Sequence, residues 1–144
     1  NLFKRIKNGL PYYTTGITGF VDVWDVVNLM QQLMNSDIKN ENFILAANNL
    51  SYKDFFIETA KALNVKQPTK EAKPWLTKII WRLDWLKSKL LSQPRNLTKQ
   101  ASNSILSIRK YDSSKVENIL GFKFKPIEET IKEVSTLYLK DLNN

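Results

Sequence analysis

The hydrophobic positions of this chain change period several times, and those changes predict its elements. The opening NLFKRIKNG reads as the last turns of a helix stopped by Gly9, and a first residue of Asn leads to the expectation that a segment precedes it. LPYYTTGITGFVDVWD is rich in Tyr, Thr, Phe and Val, and Gly16 and Gly19 divide it into two short extended pieces. From about Asp25 the period turns helical, with Val26, Val27, Met30, Leu33 and Met34 recurring three and four residues apart. NFILAA, residues 42–47, is an unbroken apolar run between polar turns, the pattern of a strand covered on both faces. Ser51 followed by Asp54 has the spacing of a capping box, which opens a helix whose buried stripe is Tyr52, Phe55, Phe56, Ala60 and Leu63.

Pro68 and Pro74 bracket a polar stretch, and Pro74 suits the first turn of a helix because it lacks only an amide that has no partner there. Residues 74–92 are strongly amphipathic. Trp75, Leu76, Ile79, Ile80, Leu83, Leu86 and Leu90 share one face, whereas Trp81 and Trp85 fall on the other with Lys78, Arg82 and Lys89. Either another helix of the same fold covers those two indoles, or they form an interaction surface. After Pro94 the run NLTKQASNSILSI reads as a weaker helix and RKY as a short extended piece. DSSKVENIL then reads as a short helix in which Ser114 and Glu117 have capping-box spacing, ended by Gly121. The last helix starts near Pro126, carries Glu128 and Glu129 in its first turn, and aligns Ile127, Ile131, Val134 and Tyr138. The prediction is therefore an α/β fold, helix-dominated, with three or four short strands. Its divisions are the end of a helix at 1–9, strand-helix-strand-helix over 10–64, the amphipathic helix at 74–92 and C-terminal helices over 112–142.

Composition narrows the chemistry. The 144 residues are 42% hydrophobic and 25% charged, enough for one domain burying roughly 70% of its unfolded surface. With no cysteine and no histidine, thiolate nucleophiles, disulfides, the usual proton shuttle and the commonest metal ligand are all excluded. The absence of a long apolar run or a cleavable leader gives a cytoplasmic expectation with no transmembrane segment. The net charge of +8 is concentrated: residues 73–125 hold 12 Lys/Arg against 3 Asp/Glu. That excess suits a solvated face or an anion-attracting surface, but its basic residues lack the dense runs of nucleic-acid-binding modules.

Three motifs bear on chemistry. TTGITG has two glycines three apart but precedes an extended segment, so it reads as a turn and not as a phosphate loop. Asp22 and Asp25 resemble paired carboxylates, yet they stand where a helix begins and read as caps. Tyr111 and Lys115 have the Tyr-x-x-x-Lys count across a strand-to-helix break, which denies them a shared helix face.

Taken in order, FVDVWDVV, then FILAANNLSYKDFFIETAKALN, then YDSSKVENILGFKFKPIEETIKEV resemble the C-terminal half of an extended short-chain dehydrogenase/reductase. This is the group containing NAD-dependent epimerases and dehydratases. The resemblance runs from about residue 8 to residue 140, and it implies a substrate-binding lobe of a Rossmann-type enzyme whose Rossmann half is absent. That half carries the glycine-rich dinucleotide loop and the catalytic Tyr-x-x-x-Lys, so no catalytic residue is assigned to this chain. By family position, Tyr12, Tyr13, Thr18 and Arg109 face substrate. Thr18 stands where nucleotide-sugar epimerases usually carry an arginine, and the run from Asn96 resembles the dihydroflavonol-reductase-like branch. The implied cofactor of the longer protein is NAD or NADP, with hydride transfer at a hydroxyl or carbonyl carbon. The implied partners are the N-terminal half and a small-molecule substrate, with homo-oligomer formation left open. The alternative is a stand-alone binding module that docks its basic, Trp-bearing helix on an acidic protein or a membrane surface.

Overall fold

The computed structural model describes residues 2–73, 79 and 104–142, and within them the fold is mixed α/β. The helices are α1 (Leu2–Lys7), α2 (Val23–Met34), α3 (Tyr52–Ala62), α4 (Ser114–Leu120) and α5 (Ile127–Leu142). The strands are β1 (Tyr12–Tyr13), β2 (Ile17–Phe20), β3 (Asn48–Ser51) and β4 (Lys70–Glu71). Strands β1 and β4 pair in parallel; β2 and β3 pair antiparallel, with Ile17 opposite Ser51 and Phe20 opposite Asn48. The expected helix over 74–92, with Trp81 and Trp85, lies outside the described residues except for Ile79, and so do residues 96–103 of the expected helix over 96–108.

The core lies where α1, α3 and α5 meet the β2–β3 ribbon. Ile6, Ala60 and Leu63 form one buried group, packed by Phe3, Leu10, Phe56 and Tyr138. Phe55, Ile127 and Ile131 form a second, packed by Phe20 and Leu50. Phe20 stacks on Phe55 with ring centroids 4.5 Å apart and planes 6° from parallel, while Phe3 meets Phe55 edge-on at 6.4 Å. Aromatic pairs of this kind are worth about 0.5–1.5 kcal/mol beyond the area they bury. The stripe expected on α3 therefore does face the core.

Both glycines of TTGITG are explained by close approach. Segment 105–111 runs along the free edge of β2: the Ile17 amide donates to the Ser107 carbonyl at 3.0 Å, and the Arg109 amide to the Ile17 carbonyl at 2.9 Å. A Cβ added at Gly16 would lie 2.8 Å from the Ile105 carbonyl carbon and 2.9 Å from the Ser107 oxygen. At Gly19 it would lie 2.9 Å from both the Ala46 methyl and the Tyr111 ring. Gly19 is thus an interior residue of β2, not the break between two extended pieces that the sequence predicted. Gly9 differs, since it has open space around it and a φ of 85° in the left-handed region, where it ends α1.

Four other readings are corrected. The covered strand over 42–47 does not form; the ladder begins at Asn48. Ala46 has both backbone groups taken by one side chain, because the Ser113 hydroxyl donates to its carbonyl at 2.9 Å and accepts from its amide at 2.8 Å. Helix α2 begins at Val23, ahead of the predicted start, because the Asp22 carboxylate accepts from the Trp24 amide at 2.7 Å. Its apolar stripe is divided: Val27, Met30 and Met34 are exposed, whereas Val26 and Leu33 are half-buried on the side of buried Asp25 and Leu29. On α5, Ser135 is buried and Val134 exposed, which turns the inward line to Ile127, Ile131 and Ser135.

Gly16→Ala is predicted to destabilise the chain by about 1–3 kcal/mol through overpacking against backbone that has no rotamer to yield. Urea unfolding should show a lower midpoint at unchanged slope. Gly9→Ala meets no atom and should cost only the left-handed penalty, about 1 kcal/mol.

Candidate functional site

The four residues assigned to substrate by resemblance lie along the β1–β2 stretch and the segment bound beside β2, but they do not converge on one cavity. Tyr12 and Tyr13 occupy β1 opposite Lys70 and Glu71, and their side chains alternate. Tyr12 is exposed, whereas Tyr13 is half-buried beneath the Lys53 ammonium, 5.2 Å from the ring centroid. Thr18 pairs with Leu50 and shares the β2 face of Phe20, the face that stacks on Phe55. Arg109 is exposed, and its amide is bound one residue from Thr18. The structure brings the Thr18 and Arg109 main chains together and leaves the two tyrosines beside the start of α3. The described grooves lie elsewhere: between α3 and α5 beside Lys61 and Lys132, beside Phe122 and Phe124, and along α2.

Side-chain chemistry at the helix junctions is structural. Asp22 is buried and caps α2. Its second oxygen accepts from the Thr130 hydroxyl at 2.9 Å and lies 3.6 Å from the Lys125 ammonium. Asp25, one turn on, accepts from the Lys125 amide at 2.8 Å. The two carboxylates therefore fasten α2 to the α4–α5 connection and the start of α5, about 100 residues away in sequence. Burial alone raises the pKa of Asp22, but the Trp24 amide, the Thr130 hydroxyl and Lys125 together hold it below its ordinary value of 3.8. Lys125 in turn is raised, first by its hydrogen bond to Glu133 at 2.6 Å and also by Asp22.

A second set of contacts fixes segment 105–112. The Asn49 side chain donates to the Tyr111 carbonyl and accepts from the Tyr111 amide, both at 2.8 Å, so one amide replaces a missing strand. Ser114 is not the cap of α4, as its spacing with Glu117 predicted. Ser113 holds the cap position with its hydroxyl spent on Ala46, and Asp112 accepts from the Ser114 amide at 2.9 Å. That amide is the chief reason the Asp112 carboxyl lies below its ordinary range. Tyr111 and Lys115 form no dyad. The Tyr111 ring closes on Gly19, while the Lys115 ammonium binds Glu41 at 2.6 Å and the Asn42 carbonyl at 3.2 Å, above the Phe43 ring. Among the described residues no group of three or more Asp or Glu is placed to hold a metal ion, and no helix is long and apolar enough to cross a membrane.

The junction residues Asn49, Ser113 and Lys125 carried no recognisable signal. Each acts on groups that are distant in sequence, which spacing along the chain does not report.

No protein-family model matches this sequence, and no curated protein matches it. One solved crystal structure similar in fold is that of gox2253, with a TM-score of 0.73 and 16% sequence identity. The match covers 97% of this chain and 43% of that one, so the chain spans less than half the length of that neighbour. At this identity the likeness concerns the fold alone.

The stability contributed by Asp22 is complete above 3.8 and is lost as pH falls through the lower folded value. Asp22→Asn, which keeps a capping oxygen but no charge, should flatten the acid limb of a plot of stability against pH. Asp22→Ala should lower stability by about 2 kcal/mol at neutral pH, from the lost cap and the unpaired Thr130 hydroxyl. Both are read from urea unfolding in a pH series.

Proposed function

We propose that this chain is the substrate-binding C-terminal portion of an NAD(P)-dependent epimerase, dehydratase or reductase of the extended short-chain dehydrogenase type. The observation that carries the proposal is the combination of extent and order. The three sequence blocks follow one another as in that group, and the fold is similar, over nearly its whole length, to 43% of a longer chain. A lobe of this kind binds and orients substrate; hydride transfer at a hydroxyl or carbonyl carbon belongs to the N-terminal half.

The described residues offer no cradle for a dinucleotide. The chain's one pair of spaced glycines, Gly16 and Gly19, is closed by the Ile105 and Ser107 main chain and the Tyr111 ring, so no pyrophosphate can approach that backbone. The segment also leads into β2 and not into a helix N-terminus, where amides gather to face phosphate. Nicotinamide chemistry is accordingly assigned outside these residues. Toward substrate, Tyr12 and Tyr13 offer phenol edges at β1, and Arg109 offers an exposed guanidinium from the segment bound along β2. Thr18, packed on the Phe20 face, shapes the strand. With Thr18 where an arginine would pair with diphosphate, a substrate of low charge is favoured, since each such charged hydrogen bond contributes about 1.5–3 kcal/mol.

Isothermal titration of the purified 144-residue chain with NADH and NADPH should show no saturable binding. The same titration on the polypeptide extended upstream should show one dinucleotide site per chain. In that longer protein Arg109→Ala should raise KM more than it lowers kcat. Saturable dinucleotide binding by the 144 residues alone would overturn the assignment.

A further inference from the structure

Helix α2 presents an apolar face that, among the described residues, nothing covers. Val23 is 67% exposed, Trp24 65%, Val27 44%, Met30 56% and Met34 83%. A shallow groove lined by Val27, Met30, Gln31, Met34 and Asn35 runs along it. The only charged side chain of α2 is Asp25, which is turned inward onto the Lys125 amide, so the outer face carries no charge in a chain whose net charge is +8. Every residue of α2 between Asp25 and Met34 is apolar or an uncharged amide.

That composition selects among occupants. Helices that lie on membranes carry Lys and Arg along their polar side, and α2 has none. An acidic partner finds no cation there. Enrichment in Trp and Met with depletion of charge is the signature of the buried centre of a protein–protein interface. We propose that the outer face of α2 is the surface on which the remaining part of a longer polypeptide packs, through an apolar, uncharged patch of its own. The proposal rests on the functional reading above. Its occupant is argued from that charge-free face and from the neighbour of similar fold, in which more than half of the chain lies outside the region matched here.

Met30 and Met34 are the chain's only methionines, and both are on this face, so oxidation reports its cover directly. With dilute peroxide on the 144-residue chain, peptide mass spectrometry should show both methionines oxidising at nearly the rate of free methionine, independent of protein concentration. In the upstream-extended polypeptide both should react at least about tenfold more slowly. Val27→Asp with Met30→Lys should leave the melting temperature of the short chain unchanged and restore fast oxidation of Met34 in the long one.

Unchanged oxidation rates in a longer protein that binds dinucleotide would overturn this docking face and leave the functional reading standing. Protection in a longer protein that binds no dinucleotide would support the face while the functional reading fails. Protection that grows with concentration of the short chain alone would assign the face to a second copy and overturn the proposal.

Discussion

The close approach of three chain segments at β2 is the constraint on which the rest of the structure depends. Strand β2 is bound by β3 on one edge and by residues 107–109 on the other. Phe20 stacks on Phe55 from one face, and the Tyr111 ring and Ala46 methyl close over Gly19 from the other. A side chain at residue 16 or 19 would push segment 105–111 off the strand. Each of the three segments then leads into a helix through a junction whose oxygen accepts an early amide: Asp22 for α2, Ser51 for α3 and Asp112 for α4. Capping these orphan amides lets the chain turn from ribbon to helix without leaving polar backbone unpaired.

The elements most legible in the sequence were those whose signals are local. The α3 stripe, the Ser51–Asp54 cap, Gly9 and Gly121 as helix ends and the shortness of the strands all depend on neighbours within a turn or two. Asp54 does bond Ser51, accepting from its hydroxyl at 2.6 Å while its amide donates back at 3.0 Å. What the sequence did not reveal depends on partners tens of residues away. NFILAA has a strand's composition, yet Ser113, 67 residues on, occupies the Ala46 backbone groups that a ladder needs. The apolar periodicity of α2 marks a face without saying which side of the helix is inward, and here Asp22 and Asp25 decide it by bonding to Thr130 and Lys125.

The site residues Tyr12, Tyr13, Thr18 and Arg109 came from the resemblance and not from any local signal. Tyr12 and Tyr13 alternate on β1, Thr18 faces the aromatic side of β2 and Tyr13 stands beneath Lys53, so the structure does not gather the four residues into one pocket. The paired carboxylates Asp22 and Asp25, read from the sequence as structural, do serve the fold: Asp22 caps α2 and Asp25 binds the α4–α5 connection. The chain has no histidine or cysteine, its glycine pair is closed by packing, and Tyr111 and Lys115 point to separate partners; the role proposed for it is that of a positioning lobe for chemistry supplied elsewhere.

The coding sequence immediately upstream of Asn1 tests that claim most directly. A positioning lobe predicts one open reading frame there, encoding a strand, a glycine-rich turn opening a helix and, further on, Tyr-x-x-x-Lys. A stop codon with an initiation site at or just before Asn1 would contradict it.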